Sequence, residues 1–281
     1  MGEESEHFGK GTGGSDLGMK RVIDLFNMDI EIPGNLAKVQ VIQELINILQ
    51  SESDLKILDV GCGPTLEFWK PLLNIPTLSS NFMLYGIDFA EKIKEAQAIV
   101  EEFRWGNVKL REGSGYELSN LFEHDSFDII VSTQVLEHIR DLKKFCKEMH
   151  KVCRFGGLIF LTLDSAHYQG KYRLSLLHPK RSFNRLLSLT LSKLGKERYH
   201  DFPLYDSEVE SIFKDLSFRI VDKRFYNIHP LKQIHNHKIS QSIKNKICKS
   251  WKELEDLLNT DRSFVQATRN ISLISTTNYR R

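Results

Sequence analysis

Apolar residues in this chain recur with two alternating periods. Leu36, Val39, Ile42, Ile46 and Leu49 return every three or four positions behind Asn35, a residue suited to cap a helix, so a helix is expected here. Lys56-Ile57-Leu58-Asp59-Val60 then reads as a short buried strand ended by Gly61-Cys62-Gly63, with Pro64 suited to the first turn of a following helix. The rhythm repeats as strand 83–87, helix 90–103, strands 108–111 and 127–132, helix 141–153 and strand 158–163. Asp141 is the expected N-cap of the last helix, and Phe155-Gly156-Gly157 its expected end. Strands alternating with helices predict a mostly parallel α/β sheet, doubly wound, with right-handed helical crossovers.

Beyond Leu163 the alternation stops. Residues 164–204 form an insertion, after which Ser207 and Glu210 mark a capping-box helix start and Phe218–Tyr226 a strand. A second insertion, about 227–268, carries Ile243, Ile247, Trp251, Leu254 and Leu258 at helical spacing before a last, antiparallel strand at Asn270–Thr276. Residues 1–20 hold Gly9, Gly11, Gly13, Gly14 and Gly18 with few apolar anchors, so burial cannot offset the entropy of ordering them. The expected organisation is a flexible tail over 1–20 and one domain over 21–281 with two helical insertions.

Charge and cysteine usage narrow the function classes. With 39 basic and 37 acidic residues the chain is no general polyanion binder. Its start lacks the basic-then-apolar order of a secretory signal, and no apolar run reaches the roughly 18–20 residues of a membrane span, so a cytoplasmic location is expected. Cys62, Cys146, Cys153 and Cys248 show no paired metal spacing. Cys146 and Cys153 fall in phase with Leu142 and Met149 and read as core thiols.

A strand that ends in a glycine turn lets the backbone approach a ligand closely, because glycine accepts positive φ. An acid at the end of the next strand, Asp88 in Tyr85-Gly86-Ile87-Asp88-Phe89, is placed to accept hydrogen bonds from two ribose hydroxyls, and Phe89 to pack on an adenine face. Ile57-Leu58-Asp59-Val60-Gly61-Cys62-Gly63 resembles the first motif of class I S-adenosylmethionine (SAM)-dependent methyltransferases, whose fold is Rossmann-like. Phe127–Ser132 followed by Val135-Leu136-Glu137-His138-Ile139 resembles the family's fourth strand and the loop after it. Phe155–Thr162 resembles the turn into the fifth strand, with Phe155 where proline is usual. The resemblance covers residues 36–163 well and the last strand weakly. It implies SAM as cofactor, with Asp59, Gly61, Cys62 and Gly63 around the methionine moiety, Asp88 on the ribose, Phe89 and Ser114 at the adenine, and Gln134 and Val135 lining the site. Thr65 stands where a third glycine is common, and Ser114 where an aspartate often meets the adenine amine.

Two other readings compete. A nicotinamide oxidoreductase also uses a glycine turn, but that fingerprint requires glycine where Leu66 stands. A SAM-binding protein without catalysis keeps the same motifs. In the quinone-pathway O-methyltransferases that the loop resembles, a glutamate three residues before the Glu-His pair completes a metal site; here that residue is Gln134, and no metal is expected. In-line displacement at a sulfonium depends on alignment and exclusion of water, and a base is needed only for a protonated nucleophile. His138 and His167 are the candidate bases. The chain has no Asp/Asn-Pro-Pro-aromatic tetrapeptide and no Pro-Cys pair, which argues against nucleic-acid bases, and the resemblance implies a small-molecule, lipid or glycan acceptor. Between Lys171 and Arg198 eight bases face one acid, Glu197, around an apolar stripe of Phe183, Leu186, Leu187, Thr190, Leu191 and Leu194. The second insertion repeats the excess from Lys232 to Lys252. Both insertions are expected to act as a lid over an anionic or amphiphilic acceptor, with peripheral contact to an anionic membrane surface; the alternative is that the stripes dock on the core and the lysines are solvated.

Overall fold

A computed structural model describes residues 44–166, 204–228 and 268–277, with single positions at 240, 242, 243, 254 and 257. Seven strands, β1 (Leu55–Val60), β2 (Phe82–Asp88), β3 (Val108–Glu112), β4 (Phe127–Thr133), β5 (Cys153–Asp164), β6 (Phe218–Ile228) and β7 (Thr268–Thr277), form one sheet in the order β3-β2-β1-β4-β5-β7-β6. The pairs from β3 to β5 are parallel, while β7 runs antiparallel to β5 and β6, as the sequence predicts for the last strand. The chain winds outward from β1 to β3 and then returns to place β4 on the other side of β1. Such a reversal leaves a crevice outside the carboxyl ends of the central strands.

Both faces of the sheet are covered, which is why its central strands are continuous apolar runs rather than alternating ones. Ile57, Ile129, Val131 and Phe160 point to one face, against a helix over residues 44–51 (α1) and against Ile93 and Ala96 of α4 (Ala90–Phe103). Leu58, Ile130, Ile159 and Leu161 point to the other, against Phe145, Cys146, Met149 and Val152 of α6 (Leu142–Val152) and Val209 and Phe213 of α7 (Asp206–Asp215). Three short helices complete the described part: α2 (Lys70–Leu73), α3 (Pro76–Ser79) and α5 (Leu118–Leu121). No helix among the described residues is long and apolar enough to cross a membrane.

Local chemistry moves three of the expected boundaries. No helix starts at Pro64: the first one, α2, begins at Lys70, because Leu66 adopts φ +50° and interrupts any helical run. The left-handed backbone costs a leucine about 1–2 kcal/mol. Complete burial of its side chain, worth about 1.5–3 kcal/mol, offsets that. Second, α6 does start behind an Asp141 cap, whose Oδ1 accepts the Lys144 N–H at 2.9 Å, but it ends at Val152. Phe155-Gly156-Gly157 lies within β5, where the register shifts against β4 and Gly156 takes φ +73°. The glycines serve a strand irregularity there, not a helix end. Third, α7 begins at Asp206, and the Glu208 carboxylate accepts the Tyr205 N–H at 2.8 Å, so the capping acid is Glu208 rather than Glu210.

The ends of both insertions lie at one edge of the sheet. Ser165 bridges Leu204 directly after β5, and Ile228 pairs with Thr268 where β6 hands over to β7. Asp164, Asn270 and Tyr226 share a row of the ladder, so both excursions leave and rejoin at the edge that carries the carboxyl ends of β1 and β4. The tail, residues 36–43 of the first expected helix, His167, Cys248 and the basic runs of the insertions lie outside the described residues.

Candidate active site

The carboxyl ends of β1 and β2 are tied together by main-chain groups. The N–H groups of Gly61 and Cys62 both donate to the Ile87 carbonyl, at 2.9 and 3.1 Å. Gly61 (φ +85°) and Gly63 (φ +70°) take the left-handed backbone that makes this turn. The turn delivers the Gly63 N–H to Asp88 Oδ2 at 2.9 Å, while Oδ1 accepts the Phe89 N–H at 2.8 Å. Lys92 stands one helical turn on, its Nζ 3.5 Å from Oδ1. A carboxylate has about four lone-pair sites, so each Asp88 oxygen keeps acceptor capacity after these bonds.

Asp88 looks into a cavity of about 390 Å³ at the carboxyl edge of β1, β2 and β4. That size suits a small organic cofactor. Gly61, Phe89 and Ser114 line it on the side of β1 to β3, and Gln134, Val135 and His138 on the side of β4. Phe89 is exposed, its ring without a packing partner on most of its surface. Ser114 Oγ accepts the Tyr116 N–H at 3.2 Å, and its hydroxyl proton stays available to a ligand. Gln134 adopts φ +56°, held by its N–H bond to the Thr162 carbonyl at 2.9 Å. Backbone held in a costly region by its surroundings is a mark of ligand sites. Val135 closes on the turn: a Cβ on Gly61 would lie 2.5 Å from Val135 Cγ2. His138 ends a 3-10 turn, Leu136–His138, its N–H bonded to the Val135 carbonyl at 2.9 Å, and stands exposed at the rim beside buried Glu137.

Three of the residues expected at the cofactor do not line this cavity: Asp59, Cys62 and Gly63. Asp59 is buried beneath the turn, with Oδ2 accepting the Trp69 Nε1–H at 2.6 Å and Oδ1 without a partner. Burial pushes its carboxyl up to about 7, the Trp69 bond opposes this, and the neighbouring Asp88 charge adds to it. The Cys62 side chain turns into the core, where its Sγ would lie 3.0 Å from a Cβ on Gly86, and burial pushes the thiol far up. Only the Cys62 backbone belongs to the turn. Tyr116, Lys92 and Arg140 line the cavity and were not read from the sequence. A signal for Tyr116 existed in Gly113-Ser114-Gly115: a Cβ on Gly115 would meet Phe145 at 2.2 Å and on Gly113 Leu121 at 2.4 Å, so this segment is pressed against α5 and α6. Among the described residues no group of three or more His, Cys, Asp or Glu could hold a metal ion.

Comparison with known proteins gives the same reading. Residues 51–187 match the family model described as a methyltransferase domain. The chain is 25% identical over 192 residues to a demethylmenaquinone methyltransferase of Geobacillus kaustophilus, covering 66% of this chain and 79% of that protein. It is 31% identical over 107 residues to a ubiquinone biosynthesis O-methyltransferase of Rhizobium etli, covering 38% of this chain and 40% of that protein, so it spans about two fifths of that relative. A geranyl diphosphate methyltransferase solved in complex with SAM shares the fold at a TM-score of 0.55 and 12% identity, covering 96% of this chain and 93% of that one. The motif region, the strand order and these matches support a class I SAM-dependent methyltransferase, with SAM as its cofactor.

Proposed function

We propose that this methyltransferase binds SAM in the cavity between Asp88 and His138 and passes the methyl group to a small-molecule acceptor entering on the β4 side. The observation that carries the reading is Asp88: a buried carboxylate, tied to both the glycine turn and Phe89, with acceptor capacity directed into a cavity of fitting size. Bound SAM supplies a methyl group on a sulfonium, poised for in-line displacement. In this assignment Asp88 accepts from the ribose hydroxyls, Phe89 and Ser114 flank the adenine, and Gly61, Gln134 and Val135 enclose the reacting end. Asp59 lies beneath the glycine turn and off the cavity wall, so in this assignment it acts on the ammonium of the methionine moiety through its charge and not by contact. His138 is the candidate base at the rim, and His167 the second candidate; a proton on the nucleophile would pass to an imidazole nitrogen. Relatives named for demethylmenaquinone and for ubiquinone biosynthesis favour a small or lipidic acceptor over a glycan. A nicotinamide cofactor fits less well, since its pyrophosphate calls for a helix N-terminus at the turn, and α2 begins seven residues beyond Gly63.

Calorimetry with SAM, S-adenosylhomocysteine and NAD, followed by transfer of labelled methyl into source-cell metabolites, tests this assignment. Binding of NAD and not of SAM would overturn it, and binding of SAM with no transfer to any acceptor would leave a non-catalytic SAM-binding protein. Turnover is expected to survive EDTA; restoration by magnesium after chelation would recast Glu137 and His138 as ligands. We further propose a cytoplasmic protein whose two basic insertions cover the acceptor, supported by their departure from the cavity edge. Charge reversal at Lys180, Arg181 and Arg185 should then raise the acceptor KM or reduce binding to anionic vesicles while SAM affinity stays constant.

A further inference from the structure

Two walls of the cavity come from distant parts of the chain. The loop after β3 brings Gly113, Ser114 and Tyr116, and the stretch after β4 brings His138, Ile139 and Arg140. The first wall is anchored to Asp88, whose carbonyl accepts the Gly113 N–H at 3.1 Å. Within it the Ser114 carbonyl accepts the Glu117 N–H at 3.0 Å, and Ser114 Oγ accepts the Tyr116 N–H at 3.2 Å. Tyr116 therefore stems from a short, bonded turn.

The side chain of Tyr116 joins this wall to the other. Its hydroxyl oxygen accepts the N–H groups of both Arg140, at 2.9 Å, and Asp141, at 3.1 Å. Its ring packs edge-on against Phe145, with centroids 6.2 Å apart, and a Cβ on Gly115 would lie 2.2 Å from Phe145 Cε2, so the loop sits directly on α6. Asp141 in turn caps α6 through the Lys144 N–H. One phenol oxygen thus holds two successive backbone N–H groups of the β4 side at a set distance from the loop that bears Ser114. Arg140 and Asp141 are both exposed, so water can replace that oxygen, and the two bonds supply position more than stability.

We propose that Tyr116 is a positioning residue that couples the two halves of the site: through the backbone of Arg140 and Asp141 it passes the ordering imposed by bound cofactor to the acceptor side. The inference rests on the methyl-transfer reading above. Cofactor in contact with Asp88 and Ser114 immobilises the loop, and the phenol bonds extend that order to the segment from His138 to Asp141. An acceptor entering on the β4 side then meets a wall already fixed and loses less conformational freedom on binding.

Hydrogen exchange followed by mass spectrometry, with S-adenosylhomocysteine as the probe, tests this on the full chain. In wild type, saturating probe should slow exchange in the peptide that holds the Arg140 and Asp141 N–H groups. In Tyr116→Phe that peptide should exchange roughly two- to tenfold faster, the loss expected for one net hydrogen bond per group, and the probe should no longer slow it. Calorimetry should still find full binding stoichiometry and an affinity within about threefold of wild type. Transfer of labelled methyl into a source-cell metabolite extract gives a second readout. The variant should lose rate in dilute extract and regain it in concentrated extract, an effect on acceptor KM rather than kcat. Lys143→Gln, whose exposed side chain bridges Asp215 at 3.1 Å, is the control and should match wild type. Three results overturn the inference while methyl transfer stands: no slowing in wild type despite bound probe, slowing that persists in Tyr116→Phe, or a lower melting temperature and stoichiometry with unchanged acceptor KM. A wild-type chain that binds no probe, or binds it and transfers no methyl group, overturns the methyl-transfer reading and this inference with it.

Discussion

The ends of β1 and β2 lie side by side, each carries an aspartate, and the fold uses them in opposite ways. Asp88 receives two backbone N–H groups and a lysine, and looks into the cavity. Asp59 receives one indole N–H, keeps an unpartnered oxygen, and is driven by burial toward neutrality at pH 7. The first is a carboxylate whose oxygens hold the turn in place. The second carries an unfavourable charge that a bound cation would relieve. In the proposed assignment, cofactor binding and folding stability are therefore aligned at Asp88 and opposed at Asp59.

The largest expected effect tests the turn that joins the two. Gly61→Ala puts a Cβ 2.5 Å from Val135 Cγ2 at a backbone φ of +85°. SAM affinity should fall by more than about a hundredfold in calorimetry, since overpacking typically costs about 1–3 kcal/mol and a left-handed alanine about 1–2 kcal/mol more. Adding Val135→Ala should restore part of the loss, the steric share; full recovery would show that the backbone conformation is unimportant.

Asp88→Ala comes next. It removes ribose acceptors and leaves the Gly63 and Phe89 N–H groups without their partner, so binding should weaken roughly ten- to more than a hundredfold and stability should drop as well. A variant that binds SAM normally would remove Asp88 from the site.

Asp59→Asn should separate the two aspartates by sign. The folded-state pKa of Asp59, about 7, lies above its unfolded value, so the folded protein holds the extra proton between them. Stability should accordingly fall as pH rises from about 4 through 7 and then level off. The asparagine variant keeps an acceptor for Trp69 and removes that decline, so its melting temperature at pH 8 should exceed wild type while SAM affinity drops. A variant destabilised at pH 8 would show that the carboxylate is as well satisfied as that of Asp88.

The smallest effect concerns the buried thiols. Cys62, Cys146 and Cys153 are free and buried; burial pushes Cys146 and Cys153 up to about 12 and Cys62 further. Peptide mapping after iodoacetamide at pH 8 should find these three unmodified in native protein and modified after unfolding. Fast native labelling at Cys62 would mean that its side chain faces the ligand rather than Gly86.

Local signals in the sequence determined which segments are strands, the two glycines that must take positive φ, and the acid at the end of β2. Each of these depends on a few adjacent residues: an apolar run buried on both faces, a residue without a Cβ, a carboxylate beside a turn. The same local reasoning placed a helix at Pro64 and an end at Gly156, where the fold has a left-handed leucine and a strand irregularity. Propensity gave way there to burial of the Leu66 side chain and to the pairing of β5 with β4. Tertiary structure alone decided that Asp59 meets Trp69 and not the cavity, that the Cys62 side chain turns inward, and that Tyr116 reaches across to the backbone of Arg140. These contacts join residues 10 to 25 positions apart or belong to different strands. Their partners are chosen by strand order and by which face of a strand each side chain occupies, and no window of neighbouring residues contains that information.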